Sequence, residues 1–306
     1  MAKPISLAKR TTLKELVSKE QIFAPCVWDC FSMRAAELAG FKAVLLSSAA
    51  LAYSMLGMPD TGLLTSDELV FATERMAQSS DLPIIVDGDE GYGESPLCVF
   101  RTCQRLAKAG AMAISIDDTS GIRGYERLFY DNGYKVTLCS KEQFLAKINA
   151  AVAGVKGTDC IIIARTGAYR RFGLDEAIDR MVRAEKLGAE MTMVLGIHNL
   201  DECRRINEKL PGWKMYPDVE SKNGKPDVEL DDIAKLGFNL VTMHYLEKGA
   251  LWGMLDYGLH NFKNKNTVYS DQHDMGGIMK SNETMGATVD YKAFLDLEAK
   301  FRDEIY

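Results

Sequence analysis

Short apolar runs alternate with longer amphipathic segments along most of the chain, and the alternation repeats eight times. Ile22–Val27, Ala43–Ser48, Pro83–Asp89, Ala111–Asp118, Cys160–Arg165, Met191–Ile197, Trp213–Val219 and Asn239–Tyr245 read as strands. The helices expected between and after them are Ser32–Gly40, 65–78, Ser95–Gly110, Lys141–Val152, Asp175–Leu187, Leu200–Leu210, Leu230–Leu236 and Leu246–Phe262. Four helix ends carry the same phrase, with Gly40, Gly110, Gly188 and Gly237 where a helix cap needs positive φ. Strands apolar on both faces and joined by helices predict a parallel sheet. Eight such units favour an α/β fold of the closed (β/α)8 TIM-barrel type over an open doubly wound sheet. The open sheet is further disfavoured because no glycine-rich dinucleotide fingerprint follows the first strand. The barrel is expected to occupy residues 1–262. Residues 263–306 hold a polar, Gly-rich stretch and then DYKAFLDLEAKFRDEIY, a helix apolar on one side. That extension is expected to cover a partner subunit or the barrel rim.

Composition narrows the function classes. Lys plus Arg total 37 against 43 Asp plus Glu, so the basic surplus needed to displace counterions from a nucleic acid is absent. No apolar run reaches the roughly 18 residues of a membrane span. The opening MAKPISLAKRTTLKEL has no apolar core segment, which argues against export. Seven scattered cysteines without zinc spacing suit reduced thiols, so the expected location is the cytoplasm.

In a barrel of this kind the chemistry sits at the C-terminal ends of the strands. The third strand ends in Asp87-Gly88-Asp89-Glu90-Gly91-Tyr92-Gly93 and the fourth in Asp117-Asp118. Asp87 and Asp89, two apart, would project to one side of an extended strand. Carboxylates crowded at adjacent strand ends repel unless a cation sits among them, and hard oxygen donors suit Mg2+ or Mn2+. Capping helices or lying solvated in loops is the plainer role for such acids; their placement favours a metal site for Asp87, Asp89 and Asp117. Arg165 closes an otherwise apolar strand and must meet a carboxylate, either one of these acids or a substrate's. Ser47, Ser48 and Ala49 at the end of the second strand offer backbone amides for a carboxylate or a developing oxyanion. His198 and His244 follow strands six and eight, where they line the mouth or serve structure.

These stretches together resemble the phosphoenolpyruvate mutase/isocitrate lyase superfamily along nearly the whole chain. The matching segments are PCVWDCFSMRAAELAGF, SSAALAYSMLGMPDTGLLT, LPIIVDGDEGYG, IIIARTGA with GLDEAIDR, and the tail DYKAFLDLEAKFRDE. The resemblance implies a (β/α)8 barrel whose last helices swap between subunits of a homodimer or homotetramer. It implies a small 2-oxo or 2-hydroxy carboxylate substrate held on Mg2+ and an enolate-type intermediate. By position, Asp87, Asp89 and Asp117 match the family's metal-site carboxylates, direct or through water. Ser47, Ser48 and Ala49 match the segment that holds the pyruvoyl unit, Asp60 an acid near that site, and Arg165 the substrate-carboxylate arginine.

The departures are equally specific. Leu45 stands where the family has an aromatic residue, Ser48-Ala49 where it has a Gly pair, and Glu90 where it has Thr. Asp117 replaces a Glu, and Gly167 the acid that commonly follows I-A-R-T. The Lys-Arg-Cys-Gly-His run, whose cysteine protonates the departing enolate in the isocitrate lyase branch, has no counterpart in DDTSGIRGYERLFYDNGYKVTLCSKEQF. Arg123 falls where the family lysine would be, and Cys139 lies too close to the next helix to inherit the cysteine's role. A stretch of this length reads as a lid, with Arg123, Tyr125, Arg127 and Lys135 as candidates to face a bound anion.

The expected activity is therefore a Mg2+-dependent lyase that cleaves or decarboxylates a small 2-oxo or 2-hydroxy dicarboxylate. P–C bond chemistry on phosphonopyruvate or phosphoenolpyruvate, and a ligand-binding barrel without catalysis, are the alternatives.

Overall fold

The computed structural model describes residues 10–121, 137–219, 221–222, 224–244, 246–265, 289 and 291–303. Eight parallel strands close into a barrel: β1 (Ile22–Val27), β2 (Val44–Leu46), β3 (Ile84–Asp87), β4 (Ala111–Ile116), β5 (Ile161–Thr166), β6 (Met191–Val194), β7 (Trp213–Tyr216) and β8 (Phe238–Met243). Each strand lies beside its sequence neighbours, and β8 returns to β1. The expected (β/α)8 barrel is the observed fold, and the open sheet is excluded by closure.

Alternation along the strands divides two cores. Ile22, Ala24, Cys26, Leu45, Ile85, Ala113, Ile161, Ile163, Met191, Met193, Met215 and Leu240 fill the barrel interior. Their neighbours Val27, Val44, Leu46, Ile84, Val86, Ile114, Ile116, Ile162 and Val241 face the surrounding helices. A helix absent from the sequence expectation, Leu13–Val17, buries Leu13 and Val17 against the interior set. Each such burial stabilises the fold by about 1.5–3 kcal/mol. The interior is therefore packed with side chains, and space for a ligand exists only beyond the strand ends.

Helix boundaries follow local chemistry. Thr65 with Glu68, and Ser140 with Gln143, form reciprocal capping boxes that start Ser66–Ser79 and Lys141–Val155. The four helix-ending glycines all take positive φ, from 73° at Gly237 to 110° at Gly110.

Several strands end earlier than the sequence reading placed them, and two of the differences bear on the site. β3 stops at Asp87, because Asp89 turns into the left-handed region with φ 49°. The segment after β2 forms the short helix Ser48–Leu51, which runs into a π-helical turn at Ala52–Leu56.

After β8 the helix Leu246–Asn264 leaves Trp252, Met254, Leu259 and Phe262 exposed, with only Asn261 buried among its described residues. The tail helix Tyr291–Asp303 exposes Tyr291, Phe294, Leu295 and Phe301. Apolar faces this extensive on the last two helices are not covered by the chain's own barrel. Among the described residues, no helix is long and apolar enough to cross a membrane.

Candidate active site

Asp87, at the end of β3, points inward like Ile85 two residues before it. Its Oδ1 accepts hydrogen bonds from Ser115 Oγ at 3.0 Å and from an Arg165 guanidinium nitrogen at 2.8 Å. Arg165, near the end of β5, reaches Asp117 Oδ2 with its other terminal nitrogen at 2.6 Å and lies 3.9 Å from Asp89 Oδ1. Asp117, just past β4, also accepts from Thr119 through its backbone N–H at 2.9 Å and its hydroxyl at 3.1 Å. The sequence left Arg165 between an internal ion pair and a substrate contact; in the folded chain it is paired with the acids.

Asp87 and Asp89 do converge, but not by the extended-strand route the sequence suggested. The turn at Asp89 breaks the alternation. The Ser48 hydroxyl joins the two carboxylates instead, at 3.4 Å from Asp87 Oδ2 and 3.2 Å from Asp89 Oδ1. The Tyr92 hydroxyl donates to the other Asp89 oxygen at 3.0 Å, and Asp89 is buried.

The backbone between the two acids leaves no room for a side chain at Gly88. A Cβ there would stand 2.7 Å from the Ser115 carbonyl oxygen and 2.8 Å from the Ile114 side chain. Gly88→Ala is expected to push β3 from β4 and cost about 1–3 kcal/mol in a denaturant titration. Mg2+ affinity is expected to fall with it, because the displaced strand ends carry Asp87 and Asp117.

Within the Ser47–Ala49 segment, the Ser47 amide and hydroxyl are taken up locally. The Ser47 amide donates to the Val27 carbonyl at 3.0 Å, and its hydroxyl caps Ala50 N–H at 3.2 Å. Ser47 therefore shapes the turn, Ser48 serves the carboxylates, and Ala49 lies half-buried in the helix's first turn. Asp60 is half-buried in the segment after the π-helical turn, where its charge acts on the Tyr53 hydroxyl. Arg123, Tyr125, Arg127 and Lys135 lie outside the described residues.

Asp118 turns away from the cluster. It accepts from Thr166 Oγ1, from Gly167 N–H at 2.9 Å and from Arg180 at 3.0 Å, and it is completely buried. It anchors the end of β5 rather than the site. Cys139 is packed into the outer core, and burial pushes its thiol up to about 11. His198 is exposed, with Nδ1 2.8 Å from the Gly196 carbonyl.

The acids and hydroxyl form an oxygen-only donor set of the kind Mg2+ takes. Among the described residues, no three His, Cys, Asp or Glu side chains stand as a ready-made metal cage, because Arg165 lies between the acids. Mg2+ does not require one: it keeps several waters and uses one or two carboxylates. A second feature is a buried donor that a small anion would satisfy. Among the described residues, the buried Arg165 Nε has no hydrogen-bond partner, although its terminal nitrogens are satisfied. The residues present thus fit a hydrated Mg2+ and a small anion.

Sequence reasoning missed Ser115, Thr119 and the pairing of His244 with Asp218. Ser115 had a readable signal, since it is the polar inward position of the otherwise apolar run AMAISI. Asp218 had none, because its partner is 26 residues away, just past the end of another strand.

The family model for phosphoenolpyruvate phosphomutase matches residues 13–255. The petal death protein of Dianthus caryophyllus is 29% identical over 306 residues, covering 98% of this chain and 91% of its own length. 2,3-Dimethylmalate lyase of Eubacterium barkeri is 31% identical over 284 residues, covering 90% and 93%. A crystal structure of 2,3-dimethylmalate lyase shares the fold with a TM-score of 0.81 at 23% identity, covering 94% of this chain and 93% of that one. Phosphonopyruvate hydrolase in complex with oxalate and Mg++ does so with a TM-score of 0.75 at 21% identity, covering 94% and 96%. The match runs from the helix beneath the barrel to the helix that follows β8, and on that extent the chain belongs to the phosphoenolpyruvate mutase/isocitrate lyase superfamily.

Proposed function

We propose that this protein is a Mg2+-dependent lyase that breaks a carbon–carbon bond of a small 2-oxo or 2-hydroxy dicarboxylate, by retro-aldol cleavage or decarboxylation, through an enolate. The observation that carries the reading is the Arg165 guanidinium, clamped by Asp87 and Asp117 at the barrel mouth with a buried Nε that has no partner among the described residues. Asp87, Asp89 and Asp117 would hold the metal, directly or through water. When bound, Mg2+ would supply Lewis-acid polarisation of the substrate's C2 oxygen.

The chain's own residues supply binding and orientation. Arg165 fixes the substrate carboxylate, and the amides of Ser48 and Ala49 hold its neighbouring oxygen, which aligns the breaking bond. Ser48, Ser115 and Tyr92 keep the carboxylates in place through their hydroxyls. Asp60 would act near the pyruvoyl end, and Arg123, outside the described residues, would be the counterpart of the family lysine. The likeness to 2,3-dimethylmalate lyase supports carbon–carbon cleavage. A second reading, P–C bond chemistry on phosphonopyruvate or phosphoenolpyruvate, is favoured by the phosphoenolpyruvate phosphomutase family match and the likeness to phosphonopyruvate hydrolase.

The exposed apolar faces of the last two helices would be covered by another copy of the chain, in a homodimer or homotetramer with swapped helices. All seven cysteines are free thiols, which suits a reducing cytoplasm.

Pyruvate release from oxaloacetate, 2-alkylmalates, methylisocitrate and phosphonopyruvate, measured with Mg2+ and with EDTA, tests the reading. Turnover of one carbon substrate that EDTA abolishes is the expected result. Turnover of phosphonopyruvate alone transfers the site to P–C chemistry. Silence on all four with Mg2+ still bound makes the barrel a binding protein.

A further inference from the structure

β1 and β8 run side by side, with Ala24 in register with Thr242. Ala24 and Cys26 both face the barrel interior. Two residues beyond the paired Ala24 and Thr242, Cys26 and His244 are the next neighbours across these strands at the C-terminal end. The Cys26 thiol and the His244 ring lie close enough for each to act on the other's ionisation. On the other side Asp218, two residues past β7, holds His244 Nδ1. Thr242 Oγ1 lies 3.4 Å from the same nitrogen and donates its own hydrogen to the Pro217 carbonyl at 2.6 Å. A thiol, an imidazole and a carboxylate from three strand ends thus stand in series.

This series adjoins the acid cluster. The Asp87 carboxylate is near enough for its charge to act on Cys26. Cys26 is only 1% exposed, whereas the His244 side chain keeps 29% of its surface, so the ring is the member open to the mouth. Burial alone would lower His244, but the Asp218 carboxylate on Nδ1 outweighs it and raises the ring well above its ordinary value, which favours the imidazolium. Burial raises the Cys26 thiol, which stays protonated. The two form a store of protons, not a nucleophile with its base.

We propose that His244, held by Asp218 and backed by Cys26, is the acid that protonates the enolate carbon when the substrate's carbon–carbon bond breaks. The inference rests on the lyase reading above and supplies the acid that the missing Lys-Arg-Cys-Gly-His run would have carried. In the step, the imidazolium Nε2–H bond breaks, Nδ1 staying on Asp218, and the proton joins the enolate carbon. The enolate π pair becomes the new C–H bond, the carbonyl is restored, and the ring is left neutral. Solvent returns the proton through the ring's exposed edge. Asp218 is a positioning residue: it fixes the ring and stabilises its charged form.

Run in reverse, the neutral ring removes the same proton, so hydrogen exchange reports on His244 without knowledge of the natural substrate. The probes are pyruvate alone, pyruvate with propionate, and pyruvate with succinate, in D2O with Mg2+, followed by proton NMR. The native protein is expected to exchange the hydrogens next to a carboxylate or carbonyl in one of these mixtures. His244→Ala should lower that rate by roughly 10²–10⁴-fold, the usual contribution of a general acid–base group. The KM for pyruvate and the affinity for Mg2+ should stay within about twofold, and added imidazole should restore exchange. Asp218→Asn, which leaves the ring in place, should lower the rate by about tenfold or more.

Exchange undiminished in His244→Ala, or in Asp218→Asn if the first variant does not fold, overturns the proposal and leaves the lyase reading standing. Loss of exchange together with Mg2+ binding, unrescued by imidazole, assigns His244 a structural role and overturns it too. No exchange by the native protein in any mixture removes the lyase reading, and the proposal with it.

Discussion

Asp87→Ala is expected to lower kcat/KM by about 10³-fold or more while the protein still folds. Asp87 is the acid that links Ser48, Ser115 and Arg165. It accepts from Ser115, approaches the Ser48 hydroxyl and pairs with Arg165. Losing Lewis-acid stabilisation of a developing enolate costs several kcal/mol, and about 4 kcal/mol corresponds to 10³ in rate. The fold survives because Arg165 keeps Asp117 at 2.6 Å and Asp89 at 3.9 Å. The stability cost is therefore set by the lost hydrogen bonds from Arg165 and Ser115, roughly 1.5–3 kcal/mol each, offset by relief of repulsion among the acids. Titration calorimetry with Mg2+ and thermal melting separate the two effects. Unchanged turnover and unchanged Mg2+ affinity in Asp87→Ala would remove the metal site from this position.

The second large effect concerns stability. Asp118→Ala is expected to cost about 3–5 kcal/mol, because it leaves a guanidinium buried without its main counter-charge. Burial pushes the Asp118 carboxyl up; the bonds from Thr166 and Gly167 and the charge of Arg180 pull it down only in part. The pair is thus no great asset relative to apolar residues of the same shape, but breaking it from one side is expensive. Arg180 would keep Glu176 at 3.1 Å and the face of Phe172, neither of which sits in the buried pocket Asp118 fills. The melting midpoint should fall by roughly 6–15 °C. Asp118→Asn, which can still accept from Gly167, should lose about half as much. A melting curve for Asp118→Ala within one or two degrees of the native protein would show that the ion pair does not hold β5 in place.

Asp117 and Asp118 illustrate why adjacent residues in one sequence can hold opposite offices. Both are acids at the end of β4, and nothing in their order ranks one above the other. The strand's pleat sends Asp117 to the axis and Asp118 toward the helices, where Arg180 and Thr166 receive it. Cys26 and His244 make the same point over a longer range. Cys26 reads as an apolar residue of a buried strand, and His244 as a lone histidine 218 positions later. Only closure of β8 onto β1 makes them neighbours.

By itself the sequence determined the eight-fold alternation, the helix caps and the placement of Asp87, Asp89, Asp117 and Arg165 near strand ends. These follow from local periodicity and from glycines at positive φ, which need no knowledge of distant residues. Tertiary structure decided which of those groups meet. The left-handed turn at Asp89, the Ser48 bridge, the Arg165 clamp across three strands and the Cys26–His244–Asp218 series all depend on barrel closure and strand register. A one-residue slip in any strand would turn these side chains to the opposite face, so their partnership is a property of the closed sheet and not of any single segment.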